Sequence, residues 1–198
     1  FAGSVYVASR MRAMLENSEI VQSHRNCTRV QDPYSLRCIP QVHGASRNAW
    51  LHLKELLETE LNSVTDNPII LRDGTAVSGG NFHGQLLAMA LDYVAVAAAE
   101  IGNIADRGLH LLPFDVIPGL PKLLMPGKGL NSGFMIPQYT TAALVSENKS
   151  LCFPASADSI PTSLGQEDHV SMGSISARKA LTITANLEKI LGIELLCA

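Results

Sequence analysis

The feature that most limits the fold is a long, proline-free, apolar stretch from His83 to about Leu112. Ala95, Ala97, Ala98, Ala99 and Gly102 occupy its middle. Side chains this small let neighbouring backbones approach closely, so the stretch predicts a helix at the centre of a bundle. It is not expected to cross a membrane. Asp92, Glu100, Asp106 and Arg107 interrupt it, whereas a span needs roughly 20 largely apolar residues.

Other helices are predicted around it. Val5, Ala8, Met11, Met14 and Leu15 recur at helical spacing over 4–16. A second stripe, Val42, Ala45, Ala49, Leu53, Leu56 and Leu57, predicts a helix over about 41–61, which Pro68 forbids from continuing. Further helices are expected over roughly 133–149 and from about Ser171 onward. The last one carries Ile175, Leu181, Ile183, Leu187, Ile190, Leu191 and Leu195. Its apolar pattern is still running at Leu196 and Cys197 with no stop signal, which suggests a fragment. Between the helices, 18–37 reads as polar and irregular, with Asp32-Pro33 as a turn or helix entry. Residues 69–82, around Asp73-Gly74, predict a small hairpin. Loops are expected over 113–132, with Pro113, Pro118, Pro121 and Pro126, and over 153–169. No strand run long enough for a central sheet appears, and no βαβ alternation. The expected fold is all-α: a bundle of long antiparallel helices, with the chemistry in the loops between them.

Composition narrows the function. The 198 residues are 46% hydrophobic and 17% charged, a globular balance. The net charge is -3 with no basic block, and aromatic residues are only 5%. Neither a nucleic-acid footprint nor a base-stacking platform is expected. Cys27, Cys38, Cys152 and Cys197 show no CxxC spacing and read as reduced thiols of a cytoplasmic protein. His24, His43, His52, His83, His110 and His169 include no HxxxH or HExxH pair, so no metal site is expected.

Chemistry concentrates in three loops. Gln31, Tyr34 and Arg37 follow one another at intervals of three, so on a helix they share a face. Arginine suits a carboxylate, which it grips through two parallel hydrogen bonds. A tyrosine beside a cation suits proton transfer. The same residues also fit a capped, solvated helix entry. The second loop, Ser78-Gly79-Gly80-Asn81-Phe82-His83-Gly84, is glycine-rich without a phosphate-loop pattern. It reads either as strained backbone near another group or as a tight turn before a helix capped by His83. The third, Ser163-Leu164-Gly165-Gln166-Glu167-Asp168-His169, sets carboxylates beside an imidazole. It fits acid–base machinery and equally a helix N-terminus. Asn131-Ser132-Gly133 and Ser146-Glu147-Asn148-Lys149 are polar islands expected to serve buried hydrogen bonding.

Taken in order, several stretches resemble the aromatic amino-acid lyase family, and its histidine-acting branch most. They are residues 29–44 (RVQDPYSLRC…PQVHG), 62–68 (NSVTDNP), 78–84 (SGGNFHG), 129–135 (GLNSGFM), 146–149 (SENK) and 154–173 (PASADSIPTSLGQEDHVSMG). The resemblance implies an ammonia-lyase/fumarase-like fold and a homotetramer with active sites shared between subunits. It implies β-elimination of ammonia from L-histidine to give trans-urocanate, with tyrosine or phenylalanine lyases and aminomutases of the same family as alternatives. On this resemblance Arg37 grips the substrate carboxylate, Tyr34 lies near the migrating proton, and Gln31 helps to hold both. Phe82 packs on the electrophile with Asn81 beside it. Glu167 contacts the substrate imidazole or amine, with Gln166 alongside. An acid at that place favours histidine, because beside an unsubstituted phenyl ring it would carry a desolvation cost.

The family's electrophile, 4-methylidene-imidazol-5-one, forms from an internal Ala-Ser-Gly. Gly44-Ala45-Ser46 is followed by Arg47 and Ala155-Ser156 by Ala157, so the triad is absent from this sequence. Residues 1–198 are therefore expected to be a single fragment of the helical domain, lacking an N-terminal, electrophile-bearing portion and inactive alone. A short, non-catalytic assembly module is the competing reading. A fumarase/aspartase-type lyase is disfavoured, since PGKGLNSGFM only echoes the serine loop of that class.

Overall fold

The computed structural model describes residues 1–28, 30–112, 119–127 and 129–198. Arg29, Pro113, Pro118 and Lys128, all within expected loops or motifs, lie outside the described residues. Helix α1 covers Ala2–Met14, α2 Glu19–Ser23, α3 Tyr34–Arg37 and α4 Ile39–Glu60. Strands β1 (Ile69–Ile70) and β2 (Ala76–Val77) pair antiparallel around Asp73-Gly74, the small hairpin that the sequence predicts. Then come α5 (Gln85–Leu111), α6 (Met135–Leu151) and α7 (Gly173–Cys197).

Residues 18–37 are less irregular than expected. Ser18 caps α2 by accepting from the Val21 N–H at 3.4 Å, and Glu19 sits in the first turn, where the helix dipole favours it. Five residues are too few to show a helical period, so only the cap carried the signal.

The long helices form the predicted bundle. Consecutive ones run antiparallel, so α5 and α7 lie side by side in the same direction: Gly84 is near Ser171, Gly102 near Ile190 and Gly108 near Glu194. On α5, beside buried Ala90 and Ala105, one buried stripe runs Ala88, Asp92, Ala95, Ala99, Gly102, Asp106 and Leu109. Their spacing alternates between four and three, the heptad stripe of a helix packed at a shallow angle. Ala95, Ala99, Ala180 and Ile183 make the centre of the core. Ile183, Ile190 and Leu109 are completely buried, each contributing about 1.5–3 kcal/mol. Where α1 crosses α4, a Cβ on Gly3 would lie 2.1 Å from the Gly44 carbonyl oxygen, so only glycine permits this approach.

By length and hydropathy the segment Asn81–Leu111 could cross a bilayer. It carries two buried carboxylates instead, each met by partners on its neighbours. Thr141 Oγ1 and Gln138 Nε2 donate to Asp106 at 2.7 and 3.5 Å, and Arg107 also pairs with it. Of the two polar islands only Asn148 is buried, accepting from Asn186 Nδ2 at 3.0 Å, which also donates to Glu147 at 3.0 Å. Ser146, Glu147, Lys149, Asn131 and Ser132 are exposed instead, because they lie on the outer face of α6 or before its start.

Candidate functional site

Pro33, extended at φ -56° and ψ 155°, stops the preceding chain and opens α3, a single turn. On that turn Tyr34 and Arg37 are three residues apart and share a side. The Arg37 guanidinium carbon lies 4.7 Å from the Tyr34 ring centroid, and its Nη1 donates to Gln31 Oε1 at 2.5 Å. The fold thus brings together the three residues singled out by their spacing. Gln31 reaches the pair from extended chain outside the helix. All three are exposed, Tyr34 at 70%. Of the three, Tyr34 lines a groove of about 600 Å³ together with Cys38, Val42, Ile104, Arg107 and His110. Arg107 is a cation on this groove that sequence reasoning did not assign to the site. Its only signal was a charge set in an apolar helix.

The glycine-rich loop lies at the start of α5. Asn81–His83 form one 3-10 turn, and Gly84, at φ 74°, reverses the backbone into α5. Asn81 Nδ2 donates to the Val64 carbonyl at 3.3 Å, and Asn67 Oδ1 accepts from the Gly79 N–H at 3.0 Å. The 62–68 and 78–84 stretches are therefore one unit. Phe82 is 56% exposed. His83 does not cap α5; Gly84 holds the N-cap position, and the His83 ring stacks on His169.

The third loop is moored to α5 and α7 at its root. Asp92 accepts from the Ser156 N–H at 2.7 Å and pairs with Lys179 at 3.3 Å. Gln85 Nε2 donates to the Ser156 carbonyl at 2.8 Å, and Lys179 also donates to the Phe153 carbonyl. Burial opposes the Asp92 charge, but Ser156 and Lys179 outweigh it and hold the carboxyl below its ordinary value. Burial pushes the nearby Cys152 thiol up, against the Lys179 charge. Further along, the Thr162 N–H donates to the Glu167 carbonyl at 2.8 Å around a tip in which Ser163 and Leu164 are left-handed. Gln166 and Glu167 are exposed. Helix α7 begins at Gly173 with no acid in its first turn. Glu167 and Asp168 thus do not serve as helix N-terminal acids, because Ser171 and Met172 intervene.

These loops stand at opposite ends of α5. The groove beside Tyr34 meets the C-terminal half of the helix, from Glu100 to Leu111, whereas Asn81, Phe82 and His83 precede Gln85. A helix of 27 residues is about 40 Å long. One chain therefore gathers Gln31, Tyr34 and Arg37 at one end, and Asn81, Phe82, Gln166 and Glu167 at the other. It does not bring the two groups together. Among the described residues, no cluster of three or more His, Cys, Asp or Glu side chains could hold a metal.

The model of a family described as aromatic amino acid lyase matches residues 1–198. The chain belongs to the aromatic amino acid lyase family. A histidine ammonia-lyase of Natranaerobius thermophilus is 55% identical over 193 residues, covering 96% of this chain and 38% of that protein. The crystal structure of histidine ammonia-lyase from Trypanosoma cruzi superposes with a TM-score of 0.80 at 54% identity, over 84% of this chain and 33% of that one. A tyrosine aminomutase from Streptomyces globisporus superposes with a TM-score of 0.86 at 38% identity, over 98% of this chain and 41% of that one. The all-α fold of this family member is thus shared with lyases and aminomutases alike. The chain spans less than half the length of these relatives.

Proposed function

We propose that this chain is the substrate-recognising segment, residues 1–198, of an ammonia-lyase that converts L-histidine to trans-urocanate and ammonia by β-elimination in histidine degradation. The observation that carries this reading is the Arg37 guanidinium held by Gln31 over the Tyr34 ring. An arginine fork fixed in this way is preset for the carboxylate of an amino acid. Hydrogen bonds to charged groups contribute about 1.5–3 kcal/mol each. Tyr34 is the group beside this cation for the β-proton, which is weakly acidic and needs a positioned acceptor. Glu167, with Gln166 beside it, meets the substrate imidazole or amine. A carboxylate there suits histidine better than a phenyl side chain, in keeping with the similarity to proteins named histidine ammonia-lyase.

The amine is a poor leaving group. A methylidene-imidazolone made from Ala-Ser-Gly supplies the electron sink that the departing amine requires, and these residues contain no such triad. The chain's own residues fit a flat ring at the start of α5. The Phe82 face stands open there, Asn81 is fixed by its bond to Val64, and a Cβ on Gly80 would meet nothing within 4 Å. Phe82 and Asn81 are the residues that would hold the group.

With clamp and recognition residues at opposite ends of α5, a complete site draws them from different copies, as in a homotetramer. An apolar stripe on α5 supports this: Leu86, Met89, Tyr93 and Val96 alternate in spacing between three and four and stay exposed. The partners are then further copies and a small amino acid, in the cytoplasm, without nucleic acid or membrane. The test is turnover by the complete enzyme carrying this segment, read as the ultraviolet absorbance of urocanate from L-histidine. Turnover of L-tyrosine or L-phenylalanine in place of L-histidine would overturn the substrate assignment.

A further inference from the structure

The His83–His169 contact joins two loops that are 86 residues apart in the chain. Nε2 of His83 lies 3.1 Å from the His169 carbonyl oxygen and 3.1 Å from its Nδ1. The rings stack, with centroids 5.2 Å apart and planes at 25°. A carbonyl oxygen can only accept, so the hydrogen resides on Nε2 of His83. Nδ1 of His169, sharing that hydrogen, presents its lone pair. A neutral His169 then carries its own hydrogen on Nε2.

Beyond its root at Phe153 and Ser156, which Asp92, Gln85 and Lys179 hold, the loop that His83 grips has little else outside itself to hold it. Ser159 Oγ donates to the Val170 carbonyl at 3.1 Å and accepts from the Val170 N–H at 2.9 Å, which closes the base. Thr162 bonds to Glu167, Gly165 to Thr162 and Gln166 to Ser163, all within the loop. Among the described residues, no hydrogen bond of residues 160–168 reaches another element. Gln85 links the root of the loop to the start of α5 at Ser156, and His169, two residues after Glu167, provides the link beside the turn itself.

We propose that His83 is a positioning residue: through His169 it sets the direction in which the Gln166-Glu167-Asp168 turn presents Glu167. This rests on the assignment of Glu167 to substrate. His83 adjoins Phe82, so one three-residue turn registers the ring-packing face against the recognising carboxylate. A misplacement of about 1 Å in such a group costs about 100-fold in rate, and the loss expected here is of that order or one decade less.

The experiment is a double-mutant cycle in the complete enzyme with L-histidine. His83→Ala lowers kcat/KM by about 10- to 100-fold while the melting temperature stays close to wild type. His83→Gln, whose amide N–H can reach the same carbonyl, restores most of the loss. In a Glu167→Ala background, His83→Ala has no further effect, because the group it positions is gone. Additive losses in that cycle, or a fall in melting temperature that accounts for the whole effect, would overturn the proposal by reducing His83 to packing. So would kinetics of His83→Ala within twofold of wild type. A wild-type enzyme that does not turn over L-histidine would instead overturn the functional reading beneath it.

Discussion

The two ends of α5 are built in opposite ways. At the clamp end, Gln31, Tyr34 and Arg37 are neighbours in sequence, and a single helical turn after Pro33 suffices to assemble them. At the recognition end, Phe82 and Glu167 are brought to one side of the bundle by contacts between distant segments: Asp92 with Ser156 and Lys179, and His83 with His169. Each end also has a buried carboxylate of α5 behind it. Asp106 is met by a hydroxyl, an amide and Arg107, and ties α5 to α6. Asp92 is met by a lysine and a backbone N–H, and ties α5 to α7 and to the loop root. A locally encoded cluster survives almost any packing of its surroundings. A tertiary cluster depends on every contact beneath it.

The largest expected effect concerns both ends at once. On the proposed reading, the 198-residue chain alone should form no urocanate from L-histidine, since its residues include no Ala-Ser-Gly. Sustained absorbance growth with the purified chain would break the comparison outright. Next come single losses in the complete enzyme. Arg37→Ala should raise KM and lower kcat/KM by about 10- to 150-fold, the equivalent of one charged hydrogen bond. Glu167→Ala should act mainly on kcat. Identical signatures for the two would mean that the ends do not divide the work. A smaller but more incisive effect follows from mixing. If each site takes its clamp and its carboxylate from different copies, hybrid tetramers of Arg37→Ala and Glu167→Ala subunits regain about a quarter of wild-type activity. Sites built within one chain would regain none.

The smallest effect concerns the mooring of the recognition end. Asp92→Asn should cost about 1–3 kcal/mol at neutral pH, because Lys179 is left without its counter-charge. The Asp92 carboxyl lies below its ordinary value of 3.8 in the folded state. The stability it adds is therefore complete above that value and disappears as the pH falls through the lower, folded one. Melting curves of wild type and Asp92→Asn should be far apart at pH 7 and converge in acid. A gap that persists in acid would transfer the effect from charge to packing.

Much of this was legible in the residues. The helical periods of α4, α5 and α7, the Asp73-Gly74 hairpin and the intervals of three between Gln31, Tyr34 and Arg37 are local patterns, and the fold follows them. Less legible was α2, whose five residues show no period and depend on the Ser18 cap. The alternative that Glu167 and Asp168 begin a helix failed because α7 starts only at Gly173, beyond a loop turned back on itself by Thr162 and Glu167. Arg107 gave no sign of facing the clamp groove, since a charge in an apolar helix reads the same whether it lines a site or faces solvent.

By itself, the sequence determined that the chain is a helical bundle, and its ordered motifs determined the family to which it belongs, because periodicity and short-range spacing survive without coordinates. Only the tertiary structure decided that the Arg37 cluster and the Glu167 loop stand toward opposite ends of α5, a helix about 40 Å long. The physical reason is the rigidity of that helix: it fixes a separation that no motif spacing records. The meeting of His83 with His169 was likewise a tertiary outcome, since it needs α5 and α7 to begin side by side.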